Sequence, residues 1–290
     1  MRRLLPRLLL AAVAAATLLA VWVWVGLPPR SAVRELARKN PGKTRLMLQR
    51  EVEAAAKGRR LHSAQVSVAL SSVSRHLIHA VLSAEDQKFF GHEGVDWEAV
   101  QKSLEKDLEK RRFARGGSTI TQQLAKNLYF GSAKTPLRKL REVIVARWLE
   151  EDLTKAQILA LYLNVIEWGD GVYGAEVAAR RWYGKPASAL SALEAAGLAA
   201  MIPNPRRLNP QLSAARHARA TRRVLWLMGQ AGYLGRDVAG LGAEPPPEIV
   251  PEDEEPPPAP EEGPPATAPS EQPPPAEPES PLAAPAPPPP

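Results

Sequence analysis

Residues Leu8–Leu27 run for 20 positions without a charged side chain, long enough as a helix to cross about 30 Å of hydrocarbon. The flanks fit a membrane span: Arg2, Arg3 and Arg7 precede the run, and Trp22 and Trp24 stand where an interfacial aromatic belt falls. A cleaved export signal carries an apolar stretch of about 7–15 residues followed by a small-residue cleavage site. Here the run ends instead in VWVWVGLPP. The expectation is an uncleaved anchor over 8–27. Because arginines stay on the cytoplasmic side, residues 1–7 are expected inside and everything after Pro28 outside.

The other end has the opposite character. From Glu244 to Pro290, 21 of 47 residues are proline, 11 are acidic and none is Lys or Arg. Such a composition cannot bury enough apolar area to offset the entropy of ordering, so 244–290 is expected to be a disordered, proline-rich tail. Since the whole chain is at +7 and the tail holds 11 acids, the first 243 residues carry +18. A body of that charge is drawn to polyanions. An exported position argues against nucleic acid and points to an anionic lipid or a lipid-linked phosphate. The chain has no cysteine, which excludes a disulfide framework and thiolate metal sites.

Between the ends, apolar residues recur at helical spacing in RHLIHAVLSAEDQKFF, DWEAVQKSLEKDLEKRRF, RKLREVIVARWLEEDL, KAQILALYLNVI and SALEAAGLAAMI, with Gly, Pro or Asn clusters between them. The best alternating stretch is QVSVAL, 65–70. A mainly α domain over 70–243 is expected, with 28–69 as a membrane-proximal segment.

Three stretches carry candidate chemistry. RGGSTITQQLAKN (115–127) is rich in donors and has no carboxylate. Gly116-Gly117 reads as a loop, Thr119 as an N-cap with Gln122 at the capping-box position, and the following helix runs on toward Leu128. Thr119, Gln123, Lys126 and Asn127 then share one face, and the helix N-terminus with its lysine makes a plausible cradle for phosphate oxygens. A polar, solvated surface has the same pattern. In AEDQKFFGHEGVD (84–96), Glu85, Phe89 and His92 fall at i, i+4 and i+7, setting a carboxylate beside an aromatic ring and an imidazole, as a general base with a raised pKa requires. A solvated Asp-Glu pair is the bland equivalent. In RKLREVIVARWLEED (138–152), Arg138 and Lys139 pair with Glu142 at i+4 and i+3, which is ordinary helix salt bridging or a carboxylate set among cations to orient them or bind a metal.

Together with KAQILALYLNVIEWGDGVYGAEVAARRWYGK and LSALEAAGLAAMIPNPRRLNP, these stretches resemble the five ordered motifs of the peptidoglycan glycosyltransferases, the family of monofunctional transglycosylases and of the N-terminal domain of class A penicillin-binding proteins. The likeness covers about residues 70–210. Only 33 residues lie between Pro210 and the tail, so the monofunctional members are the nearer match. Trp182-Tyr183 stands where Tyr-Phe is usual, and the tail is foreign to the pattern. The resemblance implies a lysozyme-like domain on the outer face of the bacterial cytoplasmic membrane that polymerises lipid II into β-1,4 glycan with inversion, releasing undecaprenyl pyrophosphate. It makes Glu85 the base and places Glu142, Lys126 and Arg138 around the pyrophosphate. Asp86, Phe89, His92, Ser118, Thr119, Gln123 and Asn127 match positions that line or brace the cleft. Lipid II and the nascent lipid-linked glycan are the implied ligands, with wall-synthesis or division proteins as conceivable partners. No obligatory cofactor is legible; a divalent cation, Mg or Mn, at the pyrophosphate is left open by the likeness.

The chemistry accounts for the residue inventory independently. Pyrophosphate is a good leaving group and needs donors and cations to stabilise its charge more than it needs an acid. Two other classes stay in view: a lytic muramidase on the same scaffold, which has no pyrophosphate to bind, and a non-catalytic wall-assembly adaptor.

Overall fold

The structure is a computed structural model that describes residues 4–110, 117–133 and 135–234. These belong to the first of two units, Met1–Ile249; the second, Val250–Pro290, and with it the expected tail over 244–290, lies outside the described residues.

The apolar run forms α1 (Leu4–Val25). Among the described residues it is the one helix long and apolar enough to cross a membrane. It is no core helix, because Leu10, Leu18 and Trp24 are each 71% exposed. After Gly26 and Pro28-Pro29 the chain turns into α2 (Arg30–Glu35), whose Val33 is fully buried. The membrane-proximal segment also contributes α3 (Arg45–Ala55), started by a Thr44 cap that accepts from Met47 N–H at 3.3 Å. So the α2 and α3 parts of the 28–69 segment pack onto the rest of the domain.

The expected helices follow as α4 (Arg75–Glu85), α5 (Trp97–Lys110), α6 (Ile120–Ala125), α7 (Pro136–Asp152), α8 (Lys155–Val165) and α10 (Ala192–Met201), and the structure adds two that the periodicity did not predict, α9 (Ala175–Tyr183) and α11 (Ala214–Gln230). The domain is mainly helical. In α10, six of the ten residues of ALEAAGLAAM are Ala or Gly, which lets α4 and α11 approach it closely. A Cβ on Gly197 would lie 2.3 Å from the Tyr183 hydroxyl. A second layer packs α6 against α7 and α8.

The alternating stretch barely forms a strand. Only β1 (Ala64–Gln65) pairs, parallel to β3 (Val172–Tyr173), which in turn runs antiparallel to β2 (Glu167–Gly169). Beyond Gln65 the backbone is claimed by a side chain: Asn164 accepts from Val68 N–H at 3.0 Å and donates to its carbonyl at 2.9 Å.

Helix α7 is held to the membrane-proximal chain at both ends. The Arg141 guanidinium donates to the Val23 carbonyl at 3.1 Å and to that of Trp22, capping the end of α1. Farther along, Arg30 reaches Glu151 at 2.7 Å and Asp152 at 2.9 Å and lies over the Trp148 ring.

Candidate active site

Helix α4 stops at Glu85, so Glu85, Phe89 and His92 do not share a helical face as their spacing predicts. At Asp86 the backbone swings to φ −163°. The cause is a long-range demand on its side chain: Asp86 accepts the Ile120 N–H at 3.0 Å and faces His92 Nε2 at 3.0 Å from both oxygens. Gly94 N–H donates to His92 Nδ1 at 3.2 Å, which leaves the ring proton on Nε2 to be donated to Asp86. Burial raises the Asp86 pKa, and the Ile120 N–H, His92 and Lys155 pull it back. Phe89 turns inward and is fully buried, with the Lys155 ammonium 4.5 Å above its ring. Asp86 and Phe89 are therefore buried, and His92 is tied to Asp86.

The start of α6 bears out the capping box: Gln122 N–H donates to Thr119 Oγ1 at 3.2 Å, and Thr119 N–H to Gln122 Oε1 at 3.3 Å. The Thr119 hydroxyl donates to the Gly94 carbonyl at 2.7 Å and is buried. Since Asp86 takes the Ile120 N–H and Thr119 takes that of Gln122, two of the N–H groups expected to cradle phosphate are already bonded within the protein. Gly116 lies outside the described residues; Gly117 and exposed Ser118 are within them.

The helix does not run on to Leu128 as an α-helix. At Lys126 it widens into a π-turn, Lys126–Phe130, ended by Gly131 at φ +73°. Such turns re-aim side chains and recur at functional sites. Asn127 is buried within it. Lys126 acts electrostatically on both Glu85 and Glu142, and burial lowers its pKa while the two carboxylates raise it.

The two glutamates occupy different surroundings. Glu85 keeps some residue exposure, but its carboxyl is enclosed by protein atoms; burial raises its pKa, opposed by Gln123 and Lys126 and reinforced by Asp86. Gln123 Nε2 donates to Glu85 Oε2 at 2.7 Å. Glu142, 3% exposed on α7, sits among Arg138, Lys139 and Lys126, and burial raises its pKa against their pull. Arg138 pairs with Glu142 through Nη1, while its Nε is buried and without a partner among the described residues. Lys139 donates to Ser118 Oγ at 2.8 Å and to Gln122 Oε1 at 3.1 Å, with Glu142 3.8 Å away. Three cations around one carboxylate leave two positive charges in excess.

Lys139 is the residue of the candidate site that sequence reasoning underused. Its i, i+3 spacing from Glu142 is legible, but the link from α7 to the 118–122 stretch is not. For a divalent cation the donor set fits poorly: among the described residues no group of three His, Cys, Asp or Glu could hold one, and Glu142 already lies among three positive side chains.

Two hollows lie close by. An apolar groove of about 410 Å³ between α1 and α7 is lined by Leu19, Val23, Leu140 and Ile144 among others, and contains none of these polar residues. A polar depression of about 450 Å³ at Phe90, Glu93, Arg147 and Lys155 shares only His92 with the site.

Residues 53–230 match the family model described as Transglycosylase. The chain is 46% identical over 192 residues to a biosynthetic peptidoglycan transglycosylase of Dechloromonas aromatica, covering 66% of this chain and 83% of that protein. A protein of the same name from an Azoarcus species is 43% identical over 232 residues, 77% of this chain and 96% of its own length. Another, from Aromatoleum aromaticum, is 42% identical over 218 residues, 74% and 92% of the two chains.

Proposed function

We infer, from the premise that this chain belongs to the transglycosylase family, that it is a peptidoglycan glycosyltransferase whose two glutamates divide one displacement between acceptor and donor. The acceptor is lipid II and the donor the growing lipid-linked glycan. Glu85, as carboxylate, takes the proton from the acceptor 4-hydroxyl. That oxygen forms a bond to C1 of the donor's terminal sugar from the face opposite the leaving group. The bond from C1 to the pyrophosphate oxygen breaks, and its electron pair leaves with undecaprenyl pyrophosphate. One displacement inverts C1.

The observation that carries this reading is the Nε of Arg138, without a partner among the described residues and set beside Lys126, Lys139 and Glu142. A buried N–H with no acceptor is costly unless a ligand supplies one, and an anionic oxygen is what this cluster of cations attracts. Glu142 holds Arg138 and Lys139 in place. Ser118 and Gln123 line the cleft, while Asp86, Phe89, His92, Thr119 and Asn127 keep its walls in register. No step passes through a metal.

In this reading α1 is a single-pass anchor in the bacterial inner membrane, its N-terminus cytoplasmic and the domain on the outer side, where its basic body meets anionic lipid-linked substrate. Wall-synthesis or division proteins are its natural partners there.

The test is polymerisation of lipid II by the full chain with gel sizing of the product. Glu85→Gln keeps shape and hydrogen bonding and should lose about 10²–10⁴ in rate. A base must be ionised, and burial raises the Glu85 pKa, so wild-type activity should be full at high pH and fall as pH drops through a value above the ordinary glutamate one. Glu85→Gln should lose that dependence, and Glu142→Gln should keep it while weakening donor engagement. If Glu142→Gln alone abolished it, the two roles would be reversed.

A further inference from the structure

We propose that Tyr162 is a positioning residue for the proton-accepting carboxylate: its buried hydroxyl fixes which end of the Gln123 amide faces Glu85. This rests on Glu85 being the base, as argued above. Tyr162 lies on α8 and is fully buried. Its hydroxyl donates to Gln123 Oε1 at 3.0 Å, and Gln123 Nε2 donates to Glu85 Oε2 at 2.7 Å. The three side chains form one relay from the core to the reacting group.

An amide has two ends of opposite hydrogen-bonding sense, and a phenol has a single proton to give. With Oε1 engaged by the phenol, only the NH2 end of Gln123 is left to meet Glu85. Turning the amide over would aim a carbonyl oxygen at the carboxylate, a buried mismatch, and take from the phenol the acceptor of its proton. Burial and the nearby carboxylates push the Tyr162 pKa well up, so the phenol stays a donor throughout the working range. The charged or titratable groups acting on Glu85 are Asp86 beside it in sequence, Lys126 from the π-turn and Tyr162 from α8. Of the hydrogen bonds and charges that favour the ionised base, the one Tyr162 controls is the Gln123 bond. Its ring needs no hydroxyl to pack, because Leu161 and Leu163 beside it are buried in the same core.

The experiment is the pH dependence of initial lipid II polymerisation by the full chain, over about pH 5–9, for wild type, Tyr162→Phe, Gln123→Ala, the double variant and Glu85→Gln. Tyr162→Phe should move the acid-side midpoint up by about 0.5–1 pH unit, the size expected for weakening one hydrogen bond to a charged group. Its rate at high pH should stay within about 3-fold of wild type, since the base and cations are intact. Gln123→Ala should shift the midpoint at least as far, and the double variant no farther, because both act on one bond. A rate lowered equally at every pH with an unmoved midpoint would make Tyr162 a packing residue only, and additive shifts would break the relay. An unmoved midpoint in Gln123→Ala overturns the proposal without reference to how Tyr162→Phe folds. If Glu85→Gln kept the wild-type profile, the base assignment itself would fall; if it lost the acid limb while Tyr162→Phe left it in place, only the positioning role would.

Discussion

Phe89 offers a sharp test of the geometry, because its sequence position places it beside the reacting carboxylate and the structure places it in the core. It is fully buried, edge-on to Phe90 with ring centroids 5.1 Å apart, and under the ammonium of Lys155 at 4.5 Å. Lys155 is in turn tied to Glu150, and Glu150 to Thr121 on α6. Truncating a buried Phe to Ala costs about 3–5 kcal/mol in transfer and cavity terms. Loss of the partly desolvated cation–π contact adds about 0.5–1 kcal/mol, for about 3.5–6 kcal/mol together. In a domain of this size each kcal/mol moves the thermal midpoint by about 2–4 °C, so Phe89→Ala should unfold about 7–24 °C earlier. Phe89→Leu refills most of the volume and should cost only about 1–1.5 kcal/mol. The assay follows thermal loss of helical circular dichroism by the full chain in detergent, with initial polymerisation rates measured well below either midpoint. Phe89→Leu should keep most of the wild-type turnover there. A Phe89→Leu protein of near-normal midpoint that has lost about 100-fold in turnover would refute the argument, because the ring would then be touching substrate.

Lys126→Ala or Arg138→Ala should cut lipid II turnover strongly with helix content intact by circular dichroism; normal turnover in both would remove the phosphate site. Because burial raises the folded-state pKa of Glu85, its ionised form costs stability above the unfolded-state pKa, and Glu85→Gln should unfold at the same temperature as wild type or higher at neutral pH, which thermal scans at two pH values would check. A reporter fused after Pro210 should be active only in the exported compartment, and cytoplasmic activity would reverse the orientation. Truncation after Ala243 should leave the thermal midpoint and polymerisation in vitro nearly unchanged, since the removed composition cannot pack; loss of either would show that the tail docks on the domain.

What could be read from the sequence was what local rules control. The apolar run, the Thr119–Gln122 capping box and the Arg138–Glu142 spacing all reappear because each depends on neighbours within one turn of helix. The misreadings came from groups distant in the chain. Nothing near Asp86 announces that its carboxylate will be needed 34 residues later to hold the Ile120 N–H, and that demand is what ends α4 at Glu85 and sends Phe89 into the core. The π-turn at Lys126 is equally silent, since KNLYF reads as ordinary helix. The 65–70 stretch fails as a strand because Asn164 satisfies its backbone first. Tyr162 reads as one more apolar position in KAQILALYLNVI; only the fold reveals where its hydroxyl goes.

Lys126 stands in the field of both Glu85 and Glu142, and in the proposed reaction that shared position synchronises the two ends. While Glu85 is anionic it competes for the ammonium. Once it has accepted the hydroxyl proton it is neutral, and its hold on Lys126 lapses. The same instant brings new negative charge onto the departing pyrophosphate. The ammonium therefore need not travel to change allegiance: proton capture on one side releases its attraction to the other. In that reading one fixed charge serves both bond making and bond breaking.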